Sequence, residues 1–151
     1  MSNSLKIVFL VVTMLALSAS DLFAAGNNNS EKIKSPQFNW DPVIEAIIYV
    51  ESRGDHKATN GNQVGAMQIT PILVAECNEI LRKRNSKKRF KLSDRFSLAK
   101  SKEMFLLIQS FHNPMNDVEK AIRSWNGGMN YSVRSTQKYF EKVMRQLRRK
   151  A

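Results

Sequence analysis

Asp41-Pro42-Val43-Ile44-Glu45-Ala46-Ile47-Ile48-Tyr49-Val50-Glu51-Ser52-Arg53-Gly54 is the stretch from which the rest of the chain is read. Val43, Ile44, Ile47, Ile48 and Val50 make a strongly apolar helix. Asp41 is expected to cap it and Pro42 to occupy its first turn, where a missing N–H costs nothing. Gly54 is expected to stop it, because a glycine takes the backbone conformation needed just past a helix end. Glu51 lies one turn before that stop. Apolar surroundings disfavour its charged form, and the negative end of the helix dipole repels a carboxylate. A carboxyl kept protonated near neutral pH is a proton donor. The plainer reading of this segment alone is a surface glutamate at a frayed helix end.

Working outward, Thr59-Asn60-Gly61-Asn62 contains the Asn-Gly pair that favours a tight hairpin, expected to extend through about Ile69. Thr70-Pro71 opens a second helix running through Leu81 into a basic loop. Ser93 or Ser97 caps a third, with Leu98, Met104, Phe105, Ile108 and Phe111 at near-helical spacing until Asn113-Pro114 stops it. Asn116 and Glu119 have the spacing of a capping box before Val118, Ala121, Ile122 and Trp125, and Gly127-Gly128 ends that helix. A last helix is predicted from about Thr136 through Phe140, Val143 and Leu147. The fold class expected is mainly α with a small β hairpin (α+β).

The first two dozen of the 151 residues have the order of a secretory signal: Lys6, an apolar run from Ile7 to Leu17, then small residues at Ser18, Ser20, Ala24 and Ala25. The run is too short for a membrane span, which needs about 20 residues. Cleavage is expected after Ser20 or Ala25, giving a signal over 1–25, a polar linker over 26–37 and one domain over 38–151. The product would be exported to the periplasm, the wall or the exterior, with no transmembrane segment retained. Cys77 is the only cysteine, so no internal disulfide is available, and its apolar neighbours suggest a buried, inert thiol. His56 and His112 lack ligand-like spacing with Cys77 or acids, so neither a metal nor another cofactor is expected. The formal charge of +11 concentrates in Arg82, Lys83, Arg84, Lys87, Lys88, Arg89, Lys91 and Arg95, and again in Arg145, Arg148, Arg149 and Lys150. Such a balance favours polyanionic partners. For an exported protein these are anionic wall polymers, acidic peptide stems or lipid head groups rather than nucleic acid. A solvated basic face with no specific partner is the bland alternative.

Four blocks in order add to this reading. They are Glu51-Ser52-Arg53-Gly54; Gly65-Ala66-Met67-Gln68-Ile69 with Pro71; Ala121 to Gly128, containing Trp125-Asn126-Gly127; and Thr136-Gln137-Lys138-Tyr139 with Val143. Together they resemble the soluble (SLT) type of lytic transglycosylase, within the lysozyme-like superfamily, over about residues 41 to 143. The resemblance implies a lysozyme-like fold and cleavage of the β-1,4 bond between N-acetylmuramic acid and N-acetylglucosamine in peptidoglycan, closing a 1,6-anhydro ring. It implies Glu51 as the single acid and base, and Ser52 orienting it or touching substrate. Met67 and Gln68 would line the cleft, Gln68 reaching the sugar or its acetamido group. Asn126 would shape the opposite wall, Trp125 would be a further substrate-binding residue, and Tyr139 would point its hydroxyl toward Glu51. Met67 as plain core and Tyr139 as a satisfied structural tyrosine remain open.

The chain departs from that pattern at Trp125, where the family usually has Tyr; at Ala66, in place of Leu; and at Asn60-Gly61-Asn62-Gln63. Asp55 is the nearest candidate for a second carboxylate, which would make the protein a hydrolase of the goose-lysozyme kind. Asp94 reads as a local charge partner or cap. A non-catalytic wall-binding module and a basic nucleic-acid-binding domain are the other classes considered. Under the enzyme reading, the 82–95 stretch would hold the protein on the wall or on a secretion or conjugation apparatus.

Overall fold

The computed structural model describes residues 38–150, so the expected signal (1–25) and linker (26–37) lie outside the described residues. Five α-helices and one two-stranded antiparallel sheet make up the fold among these residues. None of the helices described is long and apolar enough to cross a membrane.

Helix α1 is Asp41–Ser52, with Val43, Ile44, Ala46 and Ile47 buried. Its start differs by one position from expectation. Trp40 is the N-cap and makes no side-chain cap bond, while the Asn39 side-chain Oδ1 accepts the Asp41 N–H at 3.0 Å. Asp41 therefore sits in the first turn, where its negative charge complements the helix dipole. The far end also shifts. Arg53, with φ 55°, takes the left-handed conformation and its N–H reaches Tyr49 O at 3.0 Å, with Gly54 following at φ 90°.

Strands β1 (Thr59–Asn60) and β2 (Gln63–Val64) pair with Asn60 opposite Gln63 and Thr59 opposite Val64. The two loop residues are thus Gly61 and Asn62, not the Asn60-Gly61 pair. Gly61, at φ 60°, supplies the positive φ that the first central position of a type II′ turn requires. Beyond β2 the chain turns through residues 65–68 and returns, Val64 bridging Ile69.

Helix α2 (Pro71–Lys83) is capped by Thr70, whose hydroxyl accepts the Leu73 N–H. A short 3₁₀ helix (Leu92–Phe96) precedes α3 (Leu98–His112), and Ser97, not Ser93, caps α3. Asp94 accepts the Lys91 N–H at 2.8 Å, so its carboxylate serves the local turn. Helix α4 (Val118–Gly127) is capped by Asp117 rather than Asn116. Asn116 has φ 56°, and Glu119 turns along the helix to pair with Arg123, so the expected capping box does not form. Helix α5 (Val133–Lys150) starts three residues before Thr136.

The core gathers Ile44, Ile47, Met67, Ile69, Ile80, Met104, Phe105, Ile122 and Val143 from every helix and the loop. Cys77 is fully buried there, and burial, with a smaller push from Glu76, raises its thiol to about 12. The thiolate is therefore absent at any ordinary pH.

Gly65 sets the tightest approach in the fold. A Cβ on it would lie 2.0 Å from the Arg95 carbonyl oxygen, and its φ is +77°. Substituting Gly65→Ala should cost about 2 kcal/mol or more, since main chain would have to move. At Gly61 the same change meets open space, leaving only the left-handed backbone penalty of about 1–2 kcal/mol. Denaturant titration of the two variants side by side checks the order.

Candidate functional site

Glu51 and Tyr139 are 88 residues apart in sequence and directly bonded: the tyrosine hydroxyl donates to Glu51 Oε1 at 2.7 Å. Each reaches the contact from the inward face of its helix. Glu51 follows Ile44 and Ile47 at steps of seven and four, and Tyr139 precedes Val143 by four, so both continue buried stripes. Burial raises the Glu51 pKa above its ordinary 4.5, and the Tyr139 bond acts in the opposite direction without cancelling it. Burial, reinforced by the Glu51 charge and hydrogen bond, pushes the tyrosine well above 10, so it stays a donor. With Oε1 occupied, Oε2 has no partner among the described residues and is the oxygen free to carry a proton.

Ser52 next door is turned to the main chain. Its hydroxyl donates to Ala66 O at 2.8 Å and accepts the Gly54 N–H at 3.1 Å. Of the two roles considered for Ser52, this geometry serves holding the helix end in place rather than touching a ligand. The 65–68 turn is fastened elsewhere too. Trp125 Nε1 donates to Met67 O at 3.3 Å, and the Gln68 amide donates to Gly65 O at 3.0 Å and Ala58 O at 3.3 Å. Arg95 reaches in from the 3₁₀ helix to Asn62 O and Ile69 O. Gln68 itself has φ 50°, a strained backbone for a non-glycine residue and of the kind that clusters at working sites.

A cleft of about 270 Å³ opens beside this turn, and Gln68, Trp125 and Asn126 are on its wall. Thr70, Leu73, Glu76, Ile108 and Met129 complete much of the lining, with Ile72, 77% exposed, at the edge. Met67, by contrast, is fully buried core and contributes only its carbonyl. The structure therefore brings Gln68, Trp125 and Asn126 into one cleft and Glu51 and Tyr139 into one pair. Neither member of the pair lines the cleft. Consecutive residues Ala66, Met67 and Gln68 connect the two, one bonded to the Glu51 helix end, one to Trp125 and one on the cleft wall.

Arg123 was not singled out by sequence, yet it locates Tyr139. Only 3% exposed, its guanidinium bonds Glu119 Oε1, Val133 O, Thr136 Oγ1 and Gln137 Oε1, and stacks 4.3 Å from the Phe140 ring centre. Its sequence signal was a cation between buried Ile122 and partly buried Trp125, four residues after an acid. Glu76 was also missed; it bonds His112 Nε2 at 2.8 Å, which gives that histidine its partner. Asp55 is exposed and accepts the Lys57 N–H at 2.8 Å, closing a local turn. No group of three or more His, Cys, Asp or Glu placed to hold a metal occurs among the described residues.

In the 82–95 stretch, Arg82 pairs with Glu79, Lys88 with Glu103, and Arg84 with the Ser110 oxygens. Arg89 turns onto Ser86 and Lys88 carbonyls, and Lys83 lies near Glu79 and over Phe111. No family model, curated protein or solved structure matches the chain.

A raised carboxyl has a definite stability signature. The folded state holds the Glu51 proton more tightly than the unfolded chain, so this contribution is complete below the ordinary 4.5 and lost as pH rises through the raised value. Glu51→Gln, neutral throughout, should unfold at the wild-type temperature in acid and at a higher one toward neutrality. Melting curves between about pH 3.5 and 8 test this; a pH-independent difference would contradict a raised Glu51 pKa.

Proposed function

We propose that this protein is an exported peptidoglycan lytic transglycosylase of lysozyme-like fold, with Glu51 as its single acid and base. The observation that carries the reading is the partly buried Glu51 carboxyl, its charged form disfavoured by desolvation, held by the Tyr139 hydroxyl. A glycosidic general acid must be protonated at working pH and aimed at one oxygen of the scissile bond. Burial moves Glu51 toward the first need, and the Tyr139 bond, by occupying Oε1, leaves Oε2 for the second.

The chemistry follows in two proton movements. Glu51 gives its proton to the oxygen linking N-acetylmuramic acid to N-acetylglucosamine, and the bond to the anomeric carbon breaks. The substrate's own acetamido oxygen stabilises the positive centre, so no second protein carboxylate is needed. Glu51, now charged and retained by the Tyr139 O–H, takes the proton of the C6 hydroxyl as that oxygen attacks the anomeric carbon. The product is a 1,6-anhydro ring and the acid is regenerated.

Gln68 presents an acceptor to the sugar in this scheme. Its amide nitrogen is held by two main-chain carbonyls, which leaves Oε1 to receive an acetamido N–H. Trp125 offers a ring face and Asn126 a polar edge on the same cleft. The engagement of Asp55 in its own turn favours this path over a hydrolase using that residue to activate water.

Mass analysis of products from purified peptidoglycan is the direct experiment. Wild type should release anhydro-muropeptides, and Glu51→Gln should be slower by about 10²–10⁴-fold, the usual contribution of a positioned acid or base. Hydrated reducing ends would move the assignment to a muramidase, and no cleavage by wild type would leave a wall-binding module.

Tyr139→Phe tests the pair separately. Losing the bond that favours the charged carboxylate should raise the Glu51 pKa further, moving the alkaline limb of the rate profile to higher pH. The rate should fall roughly 10–100-fold, as expected for losing about 1.5–3 kcal/mol from a hydrogen bond to a charged group.

A further inference from the structure

We propose that the outer face of α5 is a docking ridge for a linear phosphodiester polymer of the polyol-phosphate kind. Arg134, Lys138, Lys142, Arg145 and Arg149 follow one another at steps of four, four, three and four residues. At about 100° per residue these positions fall within an arc of about 80° on the helix. All five are exposed, while Thr136, Tyr139, Val143 and Leu147 turn the opposite side into the protein. None of the five is in an ion pair or side-chain hydrogen bond among the described residues.

Two features separate this row from an ordinary solvated surface. Like charges one turn apart oppose the helix by roughly 0.2–0.5 kcal/mol per pair, and four such neighbours stand in succession here. The other basic region, at 82–95, surrounds most of its cations, Lys87 and Lys91 apart, with local carboxylates, carbonyls and aromatic rings. The one acid on α5, Glu141, accepts from Gln137 at 2.8 Å and forms no ion pair with the row. Beside the row, a hollow of about 170 Å³ is lined by Tyr49, Arg53, Lys142 and Arg145. The left-handed backbone of Arg53 ends α1 there, so cations from two elements meet at a seat sized for a single anionic group.

The shape of the row selects the partner. It is one charge wide and about 22 Å long, with steps of about 4.5–6 Å, which suits an extended chain carrying regularly repeated phosphates. A membrane-surface helix needs an apolar face to insert, and the apolar face of α5 is in the core. Single-stranded nucleic acid needs successive aromatic platforms for its bases, and Tyr49 is the only aromatic residue in the hollow.

Fluorescence anisotropy of labelled poly(glycerol phosphate) with the purified protein, over a potassium chloride series, tests the ridge. Five phosphate contacts predict a slope of about −3 to −4 for log affinity against log salt, by analogy with single strands. The triple change Lys138→Gln, Lys142→Gln, Arg145→Gln should weaken binding at least tenfold near 0.15 M salt and make the slope shallower by about 2. Its melting temperature should be no lower than wild type, since like-charge repulsion is removed. Lys87→Gln, Lys88→Gln, Arg89→Gln should leave binding and slope unchanged. Equal losses from both triples, no loss from the α5 triple, or binding to phosphatidylglycerol vesicles but not to the polymer would each overturn the proposal. The binding assay involves no glycan cleavage, so it stands or falls independently of the enzymatic reading.

Discussion

A buried guanidinium governs the second half of this protein. An arginine charge taken out of water is tolerated only when its donors are met, because the desolvation cost otherwise exceeds what packing returns. Arg123 meets that condition by reaching from α4 to Val133, Thr136 and Gln137 on α5, with Glu119 behind it. The consequence is positional. The start of α5 is bound to α4, Gly127 lets the two helices approach where a Cβ would lie 2.7 Å from the Thr136 methyl, and Tyr139 is carried to Glu51.

The first half is organised by a second constraint, the short turn after the hairpin. Gly65 passes against the Arg95 carbonyl, and the Arg95 side chain returns to bind carbonyls on either side of the turn. Because these backbone groups are bonded from several directions, Gln68 can be kept at a positive φ with its amide oriented. Ser52 then joins the turn to the end of α1. The acid and the cleft are thus set relative to one another by main-chain contacts rather than by direct contact between their side chains.

Charge is distributed with a similar division of labour. Most cations of the 82–95 stretch are absorbed into local structure, and Arg95 is part of the hairpin's fastening. Five of those on α5, Arg134, Lys138, Lys142, Arg145 and Arg149, stand in a row without such partners. Counting basic residues along the chain makes the two regions look alike, because a linear count contains no information about which acceptors fold nearby.

Local signals were sufficient for the helical class, the hairpin and the approximate limits of the elements. Proline at the first turn, Thr70 and Ser97 as caps and the apolar periodicities act over one helical turn, so they are legible without the fold. The errors were of one or a few residues: Asp117 for Asn116, Arg53 before Gly54, Val133 for Thr136. At each of these the deciding hydrogen bond or dihedral is a choice among adjacent candidates. Glu51 as a helix-end carboxyl was also legible. The Tyr139 hydroxyl beside Glu51 was implied by the resemblance rather than by residue spacing, and Met67 in the core was one of two readings that the sequence left open. Those depend on which surfaces meet across 50 to 90 residues of chain, and that is decided by Arg123, Gly65 and the packing of α1 against α5.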